Sequence, residues 1–168
     1  MPAPATVPRR LARPHIGLAV HDLERAVEFY RILFGVEPSK RRPDYAKFEP
    51  TEPSLNLALN QTDSVAPPDP AAHFGIEVAN SEAVAQRAAA LEAAGLDTQR
   101  QQRTACCYAV QDKVWVTDPD GRPWEIFTVL EADIDQRDDG SECCADESFS
   151  QCCGENACDE PAVCGDRQ

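Results

Sequence analysis

One short string occurs twice in this chain, and the repetition restricts the fold more than any other feature. His15-Ile16-Gly17-Leu18-Ala19-Val20 is matched 58 residues later by His73-Phe74-Gly75-Ile76-Glu77-Val78. Each copy leads into the same sequel. Asp22, a good helix N-cap, precedes Leu23, Ala26, Val27, Tyr30 and Leu33 at helical spacing, and Gly35 stands where a left-handed C-cap belongs. In the second copy Asn80 and Ser81 precede Val84, Ala88 and Leu91, and Gly95 follows. A strand, a helix and a glycine stop, given twice, point to two copies of one supersecondary unit.

The segments after each helix read as further strands: 45–49 and 55–61, with a weaker one near Val36, in the first half; 97–104, 113–118 and 123–130 in the second. Asp118-Pro119-Asp120-Gly121 is the turn signal joining the last two. The expected class is α+β, built from two βαβββ modules at 12–62 and 72–131. Residues 63–71, with Pro67, Pro68 and Pro70, form the linker, and 1–11 a flexible N-terminal segment. A module of about 60 residues is marginal alone, so the two are expected to pack against each other.

Charge narrows the partners. Lys and Arg number 16 against 29 Asp and Glu, a formal net charge of -13, which excludes nucleic-acid backbones and anionic membrane surfaces. No apolar run approaches the ~20 residues of a spanning helix, and Arg9, Arg10 and Arg13 lead into no secretory signal, so a cytoplasmic protein is expected. Twelve acidic and two basic side chains lie in residues 131–168, together with six of the eight cysteines. Phe149 and Val163 are almost the only large apolar residues there, so 132–168 is expected to be a disordered, acidic, Cys-rich tail. In a reducing compartment its Cys143-Cys144, Cys152-Cys153, Cys158 and Cys164 read as free thiols or soft-metal ligands, or simply as part of a solubilising extension.

Strand alternation then places the polar residues. Ile16, Leu18 and Val20 share one face, and so do Phe74, Ile76 and Val78; both should pack on the helices, leaving His15 and His73 on the opposite face beside small residues. In Pro123-Trp124-Glu125-Ile126-Phe127-Thr128-Val129-Leu130 one carboxylate interrupts an apolar run, and a buried carboxylate needs a positive partner. Setting 54–57 against 123–126 makes Asn56 the first-half counterpart of Glu125. Two imidazoles and one carboxylate with open positions are the ligand set of non-haem Fe(II) oxygen chemistry, although Mn, Co, Ni or Zn would also fit. Each histidine taken singly could be an ordinary strand residue; the repeat-related pairing with Glu125 favours ligation by His15, His73 and Glu125. His21, near the helix cap, reads as a surface residue or an alternative ligand.

With these residues and the segment 118–125, the chain resembles the vicinal oxygen chelate superfamily, which includes glyoxalase I, extradiol dioxygenases, and fosfomycin-resistance and bleomycin-binding proteins. The resemblance spans about 12–131 and implies the paired-module fold and a metal position, but no particular reaction. Cys106-Cys107 narrows the choice. Adjacent side chains on a regular strand face opposite ways, so the two thiols can chelate one atom only from a turn or mobile loop, and a loop is expected here. Such a dithiol suits a monoalkyl or monoaryl As(III) species, which has two exchangeable oxygen ligands; two packed core cysteines are the alternative.

The stretch 106–125 is similar to the ArsI/CadI group of that superfamily. The resemblance implies a carbon–arsenic lyase dependent on Fe(II) and dioxygen that converts trivalent organoarsenicals to arsenite. His15, His73 and Glu125 would be metal ligands and catalytic, and Cys106 and Cys107 catalytic and substrate-binding. From the residues themselves, Tyr108 and Lys113 are candidates for binding the substrate by lining or closing the pocket, as is Trp115, which packing explains equally well. A homodimer is an open option, and the tail would bind As(III) or other soft metals. Two other readings remain: a thiol-based As(III) or Cd(II) sequestration protein, and a ring-cleaving dioxygenase or glyoxalase-like enzyme acting on a carbon substrate.

Overall fold

The computed structural model describes residues 12–69 and 72–135; the expectations for 1–11 and for the Cys-rich tail beyond 135 fall outside the described residues. The chain divides into two units between Val65 and Ala66.

In the first unit, strand β1 (His15–Val20) runs into helix α1 (Leu23–Phe34), followed by β2 (Lys40–Arg42), β3 (Tyr45–Phe48) and β4 (Asn56–Gln61). The sheet order is β1-β4-β3-β2, with β1 parallel to β4 and the other pairs antiparallel. The helix starts where its cap dictates: the Asp22 carboxylate accepts the Arg25 N–H at 3.0 Å. It stops at Gly35, whose φ of +67° is the left-handed conformation that glycine adopts without penalty. Its apolar face buries Leu23, Ala26, Val27, Phe29, Tyr30, Leu33 and Phe34. The rings of Phe29, Tyr30, Phe34 and Phe48 form one cluster with centroids 5.1–6.3 Å apart. Burying each such side chain is worth roughly 1.5–3 kcal/mol, which ties the helix to β3 and β4 of the sheet.

The second unit repeats this plan. Strand β5 (Phe74–Glu77), helix α2 (Ser81–Ala93), β6 (Thr98–Cys106), β7 (Ala109–Thr117) and β8 (Pro123–Glu131) give the order β5-β8-β7-β6, again with the first pair parallel. Asn80 caps α2 through the Ala83 N–H at 2.9 Å, and Val84, Ala88 and Leu91 are buried. The β7–β8 turn is held by buried Asp118, which accepts the N–H groups of Asp120 and Arg122 at 2.9 and 2.8 Å. The expected α+β duplication of a βαβββ module is therefore the observed one.

Three strand assignments need correction. The weak strand expected near Val36 lies instead at Lys40–Arg42, because Pro38 has no N–H to give and pairing opens only with the Ser39 N–H on the Lys47 carbonyl. Strand β6 runs on to Cys106 and β7 begins at Ala109 rather than Lys113. One continuous hairpin therefore replaces the long loop expected around the two cysteines.

Beyond β3, Glu49 accepts from the Ser39 hydroxyl at 2.6 Å, is bonded by the Arg13 guanidinium and lies 3.2 Å from Lys47 Nζ. These donors bring its pKa from 4.5 to about 2, the Ser39 hydrogen bond contributing most. A depressed carboxylate stabilises the fold above its unfolded pKa and loses that contribution as pH falls through the folded one. Chemical denaturation followed from about pH 4.5 to about pH 2 should show stability declining across this window, and Glu49→Gln should flatten that part of the profile.

Candidate functional site

The face of the second sheet turned away from α2 collects the polar residues. Glu125 lies opposite Trp115 on β7 and Gly75 on β5, and Lys113 and Gln111 follow on the same face of β7. Lys113 is 2% exposed and Glu125 7%, and Lys113 Nζ donates to Glu125 Oε2 at 3.0 Å. The positive partner that a carboxylate in an apolar strand requires is thus Lys113. The other oxygen, Oε1, faces His73 Nε2 at 3.5 Å. Trp115 braces both neighbours: its ring meets the His73 ring edge-on at 5.2 Å, Lys113 Nζ sits 5.4 Å from its centroid, and its N–H donates to Gln101 at 3.1 Å.

Gly75 provides the space. A Cβ at this position would stand 3.1 Å from Glu125 Oε1 and 3.1 Å from the Phe127 ring, so only glycine lets the carboxylate lie against β5 without displacement. An imidazole nitrogen and a carboxylate oxygen 3.5 Å apart also span what two ligands of a single ion can, each at roughly 2.0–2.2 Å. The His73–Glu125 pair therefore fits a divalent cation. Among the described residues, no group of three or more His, Cys, Asp or Glu side chains is gathered for a metal.

His15 belongs to the first unit. Its Nδ1–H donates to the Asn56 carbonyl at 3.2 Å, the bond that leaves Nε2 with its lone pair available for a cation. The expected equivalence of Asn56 and Glu125 is wrong by two residues. Gly17 pairs with Ala58 as Gly75 pairs with Glu125, so Ala58 is the counterpart and offers no ligand. His21 stands exposed just beyond β1.

The cysteine pair is brought to the open face by two irregularities. Gln101 pairs with Lys113 but Thr104 pairs with Gln111, so β6 carries one extra residue, a bulge in which Arg103 has φ of +48° and donates its N–H to Asp112 at 2.7 Å. The extra residue reverses the alternation, and Thr104 and Cys106 take the face of Gln111 and Lys113. Cys107 and Tyr108 then form a two-residue hairpin turn with φ of +54° and +64°, the left-handed pair that such turns use and that Asn-Gly would adopt more cheaply. The sulfur atoms of Cys106 and Cys107 are 3.5 Å apart, within reach of one bridging atom. Cys107 and Tyr108 are exposed at the tip. Burial raises the Cys106 thiol above its ordinary pKa, opposed by the positive charge of Lys113.

Gln111 escaped the sequence reading. It is 8% exposed, lies between Cys106 and Lys113 on the open face, and its amide oxygen is buried with no hydrogen-bond partner among the described residues. The two-residue spacing to Lys113 was the available signal.

Comparisons with known proteins agree with the fold. Residues 12–126 match the family model of the glyoxalase/bleomycin resistance protein/dioxygenase superfamily. The probable trivalent organoarsenical cleaving enzyme of Bacillus subtilis (strain 168) is 41% identical over 143 residues, covering 83% of this chain and 97% of that one. The trivalent organoarsenical cleaving enzyme of Thermomonospora curvata is 45% identical, covering 80% and 89%. The cadmium-induced protein CadI of Mycobacterium tuberculosis (H37Rv) is 44% identical, covering 71% and 78%. Among solved structures, a superfamily member from Nocardioides is similar with TM-score 0.56 and 26% identity, covering 79% and 92%. The fosfomycin resistance protein FosX of Mesorhizobium loti, at TM-score 0.55, 17% identity and coverage of 71% and 93%, shares the fold. The chain belongs to the glyoxalase/bleomycin resistance protein/dioxygenase superfamily, together with its organoarsenical-cleaving and cadmium-induced relatives.

Proposed function

We propose that this chain is a carbon–arsenic lyase that takes trivalent organoarsenicals to arsenite, using Fe(II) and dioxygen, in an organoarsenical detoxification role within the cytoplasm. The observation that carries the reading is the dithiol: two sulfurs 3.5 Å apart, turned by a bulge and a strained turn onto the sheet face that holds His73 and Glu125. The names of the relatives point to the same substrate class.

The residues divide the work as follows. Cys106 and Cys107 exchange their protons for arsenic, releasing two waters from an R–As(OH)2 species and fixing the orientation of its carbon substituent. An anchored substrate reacts as an intramolecular partner, worth several orders of magnitude in rate. His15, His73 and Glu125 would hold the Fe(II), which supplies the capacity to activate dioxygen. Lys113 holds Glu125 in place through its hydrogen bond to Oε2, and its charge favours the Cys106 thiolate. Tyr108 stands exposed at the tip beside Cys107, and the Gln111 oxygen can accept a hydrogen bond from a hydroxyl of the incoming R–As(OH)2 or from water.

A sequestration role has one observation in its favour: the Lys113–Glu125 pair satisfies the carboxylate without a metal. Anaerobic loading with Fe(II), followed by air and methylarsonous acid with arsenic speciation over time, separates the two. Arsenite should accumulate over many turnovers; arsenic that stays bound and methylated would establish sequestration. Cys106→Ser and Cys107→Ser should each lower kcat/KM at least ~100-fold, the loss of one anchoring bond and its orientation; wild-type rates would remove the dithiol from the mechanism.

Gly75→Val should push Glu125 off its position and lower Fe(II) affinity ~10-fold or more, measured by titration of the apoprotein, with far-UV circular dichroism unchanged. Gln111→Leu removes a buried acceptor that has no partner among the described residues, so the melting temperature should hold or rise by the equivalent of about 1 kcal/mol while KM for the arsenical increases. A fall in stability with KM unchanged would make Gln111 purely structural.

A further inference from the structure

The dithiol sits in a turn that its own residues do not favour. Cys107 and Tyr108 take φ of +54° and +64°, yet neither is glycine or asparagine, the residues that adopt this region at little cost. The hairpin arms close around the turn through the Cys106–Ala109 pair. Two further contacts reach it from a single segment. Glu131, at the end of β8, accepts from the Arg103 guanidinium at 2.9 Å, and three residues on the Ile134 N–H donates to the Tyr108 carbonyl at 2.9 Å. Arg103 and Tyr108 flank the two cysteines in the chain. The Arg103–Glu131 pair joins exposed side chains and contributes little. The Ile134 bond is different in kind, because the carbonyls of the two turn residues lie outside the hairpin ladder and meet only water unless another segment supplies a donor.

Arsenic capture is sensitive to this turn in one of its two steps. The first exchange, one As–O bond for one As–S bond with loss of water, needs a single accessible thiol, and Cys107 is exposed. The second exchange, again releasing water and leaving arsenic trivalent, needs the other sulfur already within reach of the same atom. A separation of 3.5 Å between the sulfurs meets that condition. We propose that residues 131–135 form a positioning strap for the dithiol: through Ile134 they hold the Tyr108 peptide, and with it the turn, in the conformation that brings the sulfurs together before arsenic arrives. The strap spares the entropy of closing the chelate and leaves the reactivity of each single thiol alone. The bond is a main-chain one, so the Ile134 side chain has no part in it. This rests on the dithiol assignment above.

The test uses the full chain, anaerobic and without added metal, with phenylarsonous acid as the probe. Competition with dithiothreitol measures its affinity, and the rate of Cys107 alkylation by iodoacetamide measures single-thiol reactivity. Ile134→Pro, which removes the N–H, should bind the arsenical ~5-fold or more weakly, with alkylation within ~2-fold of the unaltered chain. Ile134→Ala, which keeps the N–H, should match the unaltered chain in both. Linkage also requires the arsenical to strengthen the strap in return, so amide exchange at Ile134 of the unaltered chain should slow by a similar factor on binding. Unchanged affinity in Ile134→Pro, an equal loss in Ile134→Ala, an alkylation rate that changes in step with affinity, or exchange at Ile134 that ignores the arsenical would each overturn the strap. Cys106→Ser and Cys107→Ser that bind as tightly as the unaltered chain would strike the dithiol assignment itself, and the strap with it. If they lose binding while Ile134→Pro keeps it, the strap alone fails.

Discussion

A carboxylate in the middle of an apolar strand is the condition around which the open face of the second sheet is built. Taking Glu125 out of water costs several kcal/mol unless a positive charge and good hydrogen-bonding geometry come with it. Lys113 provides that charge from the adjacent strand, and its long stem is carried past Trp115. Gly75 gives up its side chain so that the second carboxylate oxygen can turn towards His73. Each of these residues is explicable only by its neighbours. A larger residue at 75, a neutral one at 113 or an apolar one at 125 would leave the others buried with unmet polar groups.

The dithiol depends on the same sheet by a different route. Strand alternation alone would put Gln101, Arg103 and Ala105 on one face and leave Cys106 on the other. The extra residue in β6 reverses this before the strand ends, and the Asp112 carboxylate holds the bulge by accepting the Arg103 N–H. The turn then uses two side-chain-bearing residues at positive φ, a conformation costing of order 1–3 kcal/mol each, to bring Cys107 round beside Cys106. Strain of this kind persists only where surrounding structure over-determines it, and here a nine-residue hairpin arm on each side does so.

Much of this was legible in the sequence because it is local or periodic. The duplicated string, the Asp22 and Asn80 caps, the glycine after α1 and the strand alternation all act within a few residues, and the helices and parallel first pairs follow from them. What could not be read depends on register. A bulge changes parity without leaving a compositional mark, so the side on which Cys106 falls is invisible until β6 is paired with β7. The choice between Asn56 and Ala58 as the counterpart of Glu125 likewise turns on a two-residue offset that alignment of two short strings does not fix. The need for a positive charge against Glu125 was evident; that Lys113 meets it required knowing which strand lies alongside.

The charge distribution fits the chemistry assigned to the face. Trivalent arsenicals of the R–As(OH)2 type are weak acids and neutral at physiological pH, so a chain of net charge -13 does not repel them, and no arginine clamp of the sort an oxyanion demands is required. Selection then rests on the number of exchangeable ligands and on the distance between two sulfurs. Burial works against this by keeping the Cys106 thiol protonated, and Lys113 works for it. The lysine that makes Glu125 tolerable in the sheet thus also bears on the thiol that would grip the substrate, which couples the two halves of the face through one buried charge.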